Sequence, residues 1–174
     1  MGSIDEALKS NEAYARDFRF AQLPKVPARK LAVLACMDAR LTIESVLGLK
    51  TGDAHIIRNA GGIVTEDALR SLIVSHYLLG VNEFMIVNHT GCGMLNFRDE
   101  ELRDRLERET GYSPLSPEQF HSFSNLEDNV RRQIWKLRSH PWIPKLIPIR
   151  GFIYGVATGL LNEVSPQQPA TVNS

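Results

Sequence analysis

Two cysteines and one histidine are the residues of this chain whose types and spacing best support chemistry. His89 and Cys92 lie three residues apart in the segment His-Thr-Gly-Cys, and Cys36 is the other cysteine of the chain. One imidazole and two thiolates suit Zn²⁺, and three protein ligands leave a fourth tetrahedral position for water. The pattern therefore indicates a catalytic metal site, because a structural zinc site usually has four protein ligands.

Each of these residues also has a simpler interpretation. Cysteine is often buried for packing alone, and a single histidine is more often a hydrogen-bonded core residue than a ligand. Cys36 and Cys92 could instead form a reversible disulfide, although they lack the Cys-x-x-Cys spacing of redox proteins. A zinc protein with a structural or sensing role and no catalysis is a further alternative. The coincidence of all three residues at predicted strand ends favours the metal.

Asp38 and Arg40 follow Cys36 closely in the segment Cys-Met-Asp-Ala-Arg. Their side chains can form a charge-assisted, bidentate pair that keeps Asp38 ionised beside the metal. The alternative is a surface ion pair that contributes only ~0–1 kcal/mol to stability. Because the pair directly follows a candidate ligand, we favour a catalytic role.

The elements that must position these residues are two short apolar strands. Residues 31–35, Leu-Ala-Val-Leu-Ala, form an unbroken apolar run of the kind found in parallel strands buried on both faces, and Cys36 follows it. Residues 84–87 predict another strand, which ends in Asn88 and His89. Open α/β sheets place their sites at the carboxyl ends of the strands. We therefore expect Cys36 and His89 at the same edge of the sheet.

The rest of the pattern alternates strands with helices and predicts an α/β fold with a central, mostly parallel sheet flanked by helices. We expect one domain over residues 1–164, with an N-terminal helical arm over about 1–23 and a flexible tail over 165–174. Pro24 and Pro27 separate the arm from the rest. The predicted helices are 3–18, 42–47, 65–79, 99–110 and 125–139, with a short helical turn from Ser116-Pro117; the other predicted strands are 54–58, 146–149 and a hairpin of 152–157 with 160–164.

Composition argues against several classes of partner. Lysine and arginine total 20 and aspartate and glutamate total 20, so no net charge attracts nucleic acid or an anionic membrane. No apolar run approaches the ~20 residues of a membrane-spanning helix. The polar N-terminal residues do not resemble a secretory signal, and two cysteines do not make a disulfide framework. We therefore expect a cytoplasmic protein, with no nucleic acid or membrane partner.

Three motifs in order along the chain resemble those of the β-class carbonic anhydrases. They are Cys36-x-Asp38-x-Arg40, then Arg58-Asn59-Ala60-Gly61-Gly62, then His89-x-x-Cys92-Gly93. The strand around Arg150-Gly151-Phe152 and its hairpin are also similar to that family. The resemblance implies one Zn²⁺ per chain on Cys36, His89 and Cys92. It also implies that Asp38 accepts a hydrogen bond from metal-bound hydroxide while Arg40 holds Asp38 in place.

The resemblance also implies a substrate pocket and shows where this sequence departs from the family. Glycines beside the metal would let substrate approach closely. Serine is usual at Ala39, and plant-type members carry glutamine near Pro27, phenylalanine at His55 and tyrosine at Val74. His55 could be a proton shuttle or a buried hydrogen-bonding residue. The implied pocket residues are His55, Asn59, Ala60, Gly61, Val74, Gly91 and Gly93.

The activity that the resemblance implies is the hydration of carbon dioxide to bicarbonate. The altered pocket resembles a compact subgroup that also contains carbonyl sulfide hydrolases, so hydrolysis of carbonyl sulfide to hydrogen sulfide and carbon dioxide is the alternative. The family further implies a homodimer or homotetramer. It also suggests the hypothesis that Asp38 moves onto zinc at low pH when its pairing with Arg40 is broken.

Overall fold

The computed structural model describes residues 2–113 and 115–165. A five-stranded sheet forms its centre, with helices packed on both faces, as the sequence predicts. The strands are β1 Leu31–Cys36, β2 Ala54–Asn59, β3 Glu83–His89, β4 Ile149–Tyr154 and β5 Leu161–Val164. The helices are α1 Ser3–Arg16, α2 Ile43–Leu47, α3 Glu66–Tyr77, α4 Asp99–Thr110 and α5 Leu126–Ser139.

Strand order across the sheet is β2-β1-β3-β4-β5. β1 pairs in parallel with β2 and β3, β3 pairs in parallel with β4, and β5 is antiparallel to β4. Cys36 lies opposite Asn59 in the β1–β2 register, and His89 ends β3 opposite Tyr154. The carboxyl ends of the parallel strands therefore meet at one edge, where the sequence predicts the site.

Two apolar cores lie on opposite faces of the sheet. On one face, Leu34 and Ile86 pack with Leu72 of α3 and Ile134 of α5. Side-chain caps begin both of these helices, since Thr65 accepts a hydrogen bond from the Ala68 amide and Asn125 accepts one from the Asp128 amide. The second core contains both cysteines, and its members include Val33, Val87, Met94 and Phe123. Two of the three candidate metal ligands are thus part of a packed core.

Three of the expected elements differ from the structure. Residues 146–149 and 152–157 are not separate strands, because one strand, Ile149–Tyr154, pairs with both β3 and β5. Leu146 lies in a turn and is 96% exposed. Gly151 lies within this strand, at the point where α5 packs directly on the strand backbone. A Cβ at Gly151 would lie 2.3 Å from Val130 Cγ1. Ser116-Pro117 begins no helical turn, and residues 115–118 form bends.

Helix α1 differs from the other helices because every one of its residues is exposed. Its apolar side chains Ile4, Leu8 and Tyr14 are exposed, as is Phe18 just beyond its end. Within the arm expected over about 1–23, residues 3–16 form this helix, and none of its side chains joins either apolar core. Over the described residues, no helix is long and apolar enough to cross a membrane. The tail predicted for 165–174 lies outside the described residues from 166 onward.

Candidate metal centre

Cys36, His89 and Cys92 converge in the structure, as their positions in the sequence predict. Their ligand atoms lie within 4.8 Å of one another, and all three residues are buried. Cys36 ends β1, His89 ends β3, and Cys92 follows the turn Thr90-Gly91. The two sulfurs are 3.9 Å apart and both cysteines are free thiols.

The orientation of His89 leaves one ring nitrogen free for a ligand bond. Nδ1 lies 3.0 Å from the carbonyl oxygen of Thr90, which can only accept, so Nδ1 carries the proton and donates. Nε2 is buried and has no hydrogen-bond partner among the described residues. Metal-binding histidines commonly use one nitrogen for the metal and the other for such a donor bond. The unpartnered Nε2, beside two sulfurs, is therefore oriented as a metal ligand.

The distances within the cluster fit a tetrahedral zinc ion. Two sulfurs each about 2.3 Å from one zinc ion, at the tetrahedral angle, lie about 3.8 Å apart. The observed Sγ–Sγ distance is 3.9 Å. A disulfide requires about 2.0 Å between the sulfurs, so the thiol geometry matches the metal interpretation rather than the redox alternative. Cys36, His89 and Cys92 would hold the ion and leave one coordination position for water.

The electrostatics of the cluster also favour a cation. A hydrogen bond with Cys92 is the main factor that lowers the pKa of Cys36, although burial opposes it. Sharing that proton and burial together raise the pKa of Cys92. Burial lowers the pKa of His89, but its interaction with the Cys36 sulfur and the charge of that sulfur raise it overall. The three donor atoms thus stabilise positive charge between them, which a zinc ion would supply.

Asp38 and Arg40 form the predicted pair beside the cluster. Arg40 Nε and Nη2 donate to the two Asp38 carboxylate oxygens at 2.8 and 2.7 Å, and the Arg40 backbone amide donates at 2.9 Å. These hydrogen bonds hold the pKa of Asp38 well below its usual range. Asp38 Oδ2 lies 3.7 Å from His89 Nε2, so an ionised carboxylate faces the cluster. Arg40 Nη2 also donates to the Gly91 carbonyl at 3.2 Å.

Arg58 is a contributor that the predicted site residues omit. Its Nε donates to the Cys36 carbonyl at 3.1 Å and its Nη2 donates to the Asp38 carbonyl at 2.7 Å. One guanidinium therefore holds the backbone of a candidate metal ligand, Cys36, and of Asp38 beside it. The available signal was its position directly before Asn59-Ala60-Gly61-Gly62.

The segment after β2 closes over the cluster. Asn59 holds Ile63 from both sides, accepting from its amide at 2.8 Å and donating to its carbonyl at 2.7 Å. Gly61 and Gly62 have φ values of 80° and 61°, which favour glycine. A Cβ at Gly62 would also lie 3.1 Å from the Cys36 amide nitrogen, so the segment contacts the strand that carries a ligand.

The structure brings most, but not all, of the implied pocket residues to the cluster. Gly91 and Gly93 flank Cys92, and a Cβ at either would meet nothing within 4 Å. Ala60 packs against the core that contains both cysteines. His55 lies near the opposite end of β2, about 13 Å along the strand from Asn59, and its Nδ1 is 2.9 Å from Ser75 Oγ of α3. Val74 lies on α3 beside Ser75. Within one chain, His55 and Val74 are therefore distant from the candidate ligands, and their pocket role stays a prediction.

Comparison with known proteins matches this site to one family. A sequence model described as carbonic anhydrase matches residues 31–161. Beta-carbonic anhydrase 1 of Mycobacterium bovis is 44% identical over 167 residues, which cover 95% of this chain and 100% of that protein. A carbon disulfide hydrolase of Acidianus sp. is 37% identical over 183 residues, which cover 92% of this chain and 88% of that protein.

A solved structure gives the same result. Carbonic anhydrase from Streptococcus mutans superposes with a TM-score of 0.89 at 41% identity, covering 95% of this chain and 99% of that one. The family match includes Cys36, Asp38, Arg40, His89 and Cys92 within its range. Together, the family match, the full-length relatives and the shared fold establish that this chain belongs to the β-class carbonic anhydrase family.

Proposed function

We propose that this protein is a zinc-dependent enzyme that hydrates carbon dioxide to bicarbonate. The observation that carries the proposal is the buried, unpartnered Nε2 of His89, which shares a small volume with two sulfurs 3.9 Å apart. Three ligands of this kind leave a coordination position for water. Membership of the carbonic anhydrase family and relatives of that name support the choice of reaction.

Zinc held by Cys36, His89 and Cys92 would lower the pKa of its water to about 7 and so provide a nucleophile near neutrality. Asp38 remains ionised because Arg40 donates to both of its oxygens. An ionised carboxylate only accepts hydrogen bonds, so Asp38 would orient the attacking water and leave its lone pair directed at the carbon of the substrate. Arg40 keeps Asp38 in this orientation.

Hydrolysis of a sulfur analogue is the second candidate function. The specific observation in its favour is that relatives named carbon disulfide hydrolase are up to 37% identical to this chain over 92% of its length. Carbonyl sulfide and carbon disulfide are linear and electrophilic at carbon, like carbon dioxide, and the same ligands could serve all three. The shape and polarity of the pocket would then decide the preference.

Parallel assays on one zinc-loaded preparation test this proposal. We expect stopped-flow hydration of carbon dioxide that is lost after chelation and restored by zinc. Hydrogen sulfide release from carbonyl sulfide and carbon disulfide is measured on the same samples. Zinc-dependent sulfide release with no hydration of carbon dioxide would replace the first function with the second. No zinc-dependent turnover of any of the three gases would reject both.

We also propose that the chain works as a homodimer or homotetramer in a reducing, cytoplasmic setting. The support for association is α1, whose apolar side chains contact no core of their own chain. A second copy would bury this face, since burial of apolar surface drives association. The support for the setting is chemical, because two thiolate ligands must stay reduced to bind metal.

A further inference from the structure

Three buried side-chain amides connect α5 to the metal centre. Asn88, Asn129 and Gln133 are 1%, 2% and 6% exposed. Asn129 Nδ2 donates to Asn88 Oδ1 at 2.7 Å, and Gln133 Nε2 donates to Asn129 Oδ1 at 2.9 Å. Buried amides are costly unless they are hydrogen-bonded, so a connected set of three inside a core requires an explanation.

The chain of amides begins and ends on the same short segment of backbone. Val64 N–H donates to Gln133 Oε1 at 2.9 Å, and Asn88 Nδ2 donates to the Gly62 carbonyl at 3.5 Å. The bonds therefore form a ring that closes through Ile63. We call this ring the amide clamp; its side chains are those of Asn88, Asn129 and Gln133.

The two backbone ends fix the orientation of every amide in the clamp. Val64 N–H can only donate and the Gly62 carbonyl can only accept. Each side chain must then accept on its oxygen and donate on its nitrogen in one sense around the ring. Rotating a single amide would place two donors face to face at one contact and two acceptors at the other. The clamp thus has one satisfied arrangement, which makes it a rigid support.

The segment that the clamp holds also contacts the metal ligands. The Gly61 backbone amide lies close to the Cys36 sulfur. A Cβ at Gly62 would lie 2.8 Å from Asn88 Nδ2 and 3.1 Å from the Cys36 amide nitrogen. Asn88 itself directly precedes His89 on β3. Movement of residues 61–64 would therefore displace contacts to one candidate ligand, Cys36, and to the residue that precedes another, His89.

We propose that Asn88, Asn129 and Gln133 are positioning residues that hold Gly61–Val64 against Cys36 and beside the strand end that carries His89, and so set the geometry of the metal centre. The proposal rests on the proposed zinc-dependent function. It assigns Asn129 and Gln133, which lie on α5 and touch no ligand, a role in catalysis through the segment that they hold. Partners that orient metal ligands typically contribute 10–100-fold in affinity or activity, and we expect about that effect here.

The test compares two clamp variants with a core variant on the same helix. Gln133→Met keeps much of the side-chain shape and removes the acceptor of Val64 N–H, while Asn129→Leu removes the middle amide. Ile134→Ala is the control, because Ile134 is 3% exposed in the adjacent core and makes no clamp bond. Zinc content, thermal stability and kcat/KM are measured for all variants. Hydrogen exchange of the Val64 amide is measured on the same proteins.

We expect faster Val64 exchange and a kcat/KM lower by about 10–100-fold in both clamp variants. Ile134→Ala should lose stability yet keep slow Val64 exchange and kcat/KM near wild type. Equal kcat/KM losses in all three variants at matched stability would overturn the proposal, as would wild-type exchange of Val64 in Gln133→Met. If Asn129→Leu does not fold, Gln133→Met decides alone. The exchange measurement is independent of turnover, so an inactive wild-type enzyme would reject the proposed function and leave the clamp still testable.

Discussion

We expect Asp38 to contribute to turnover and not to binding of the metal. It is not one of the three converging ligands, yet its Oδ2 lies 3.7 Å from His89 Nε2 and both of its oxygens accept from Arg40. The guanidinium bonds compete with any bond from Asp38 to a metal. The carboxylate is thus held beside the centre as a hydrogen-bond acceptor.

We predict that Asp38→Ala keeps one zinc per chain and loses carbon dioxide hydration by about 10²-fold or more, the usual contribution of a side chain that handles a proton in the reaction. Zinc analysis and stopped-flow assays on the same sample check this. Asp67→Ala is a matched control, because Asp67 forms a comparable pair with Arg70 at 2.6 Å on the exposed surface of α3. Similar activity in the two variants would show that the Asp38 pair is merely a surface ion pair.

The convergence of the three candidate ligands was predictable from sequence because strand ends fix their positions. An apolar strand directly precedes Cys36, another precedes His89, and two residues separate His89 from Cys92. Arg58 and the amide clamp were less accessible. Arg58 acts on backbone carbonyls, which have no signature in sequence, and Asn129 and Gln133 lie on a helix whose packing onto β3 only the fold reveals.

Asp99, the first residue of α4, organises a loop distant in sequence. Its carboxylate accepts from the amides of Phe120, His121 and Ser122 at 2.7, 2.9 and 2.8 Å. Burial raises the pKa of Asp99, but these hydrogen bonds outweigh it and lower the pKa to about 2. Amides directed at a carboxylate are not available to a helix. Arg103 also donates to the carbonyls of residues 117 and 118. These long-range contacts explain why the helical turn expected from Ser116-Pro117 does not form.

This arrangement predicts how acid affects stability. A carboxylate with a lowered folded-state pKa stabilises the protein above its ordinary pKa of about 3.9, and that contribution is lost as pH falls towards the folded-state value. Asp99→Asn should therefore lower the free energy of unfolding by about 1–2 kcal/mol at pH 7, a figure reduced for solvent screening. The difference should shrink as pH falls through about 2.

Denaturant unfolding at a series of pH values measures this effect. Asp104→Asn is the control, because Asp104 is an exposed carboxylate on the same helix. A constant difference between Asp99→Asn and wild type from neutral to strongly acid pH would contradict the account.

The sheet shows why β1 and β3 were easier to predict than β4. β1 and β3 are apolar runs with polar residues at their boundaries, so the sequence marks where they stop. β4 contains Arg150 and Gly151, which interrupt its apolar pattern and so predicted a break between two strands. In the fold, Arg150 pairs with Glu163 of β5 at 2.5 Å on the surface, and the missing side chain of Gly151 admits α5. Both features depend on neighbours that are remote in sequence.

The exposed apolar face of α1 leads to a prediction about self-association of the whole protein. Ile4 and Leu8 are 78% and 61% exposed and lie one turn apart on α1. If a second copy covers this face, replacing both with glutamate places charge in an apolar interface, and burial of unpaired charge is strongly unfavourable. We predict that this double variant shifts the protein towards monomer.

Analytical ultracentrifugation over a range of protein concentrations measures that shift. The control exchanges Lys9→Glu and Glu12→Lys, which alters exposed positions of the same helix and preserves net charge. A wild-type protein that is monomeric at all concentrations would contradict the oligomer proposal. A double variant with unchanged association would show that the α1 face is not the interface.

The central claim is that three side chains bind one zinc ion on which turnover depends. Adding zinc stepwise to chelator-treated protein, while following carbon dioxide hydration, tests it most directly. We predict that the rate rises linearly and reaches its plateau at one zinc per chain, and that Cys92→Ala, titrated in parallel, gains neither metal nor activity. Full turnover before zinc is added, or an active Cys92→Ala protein free of metal, would contradict the account.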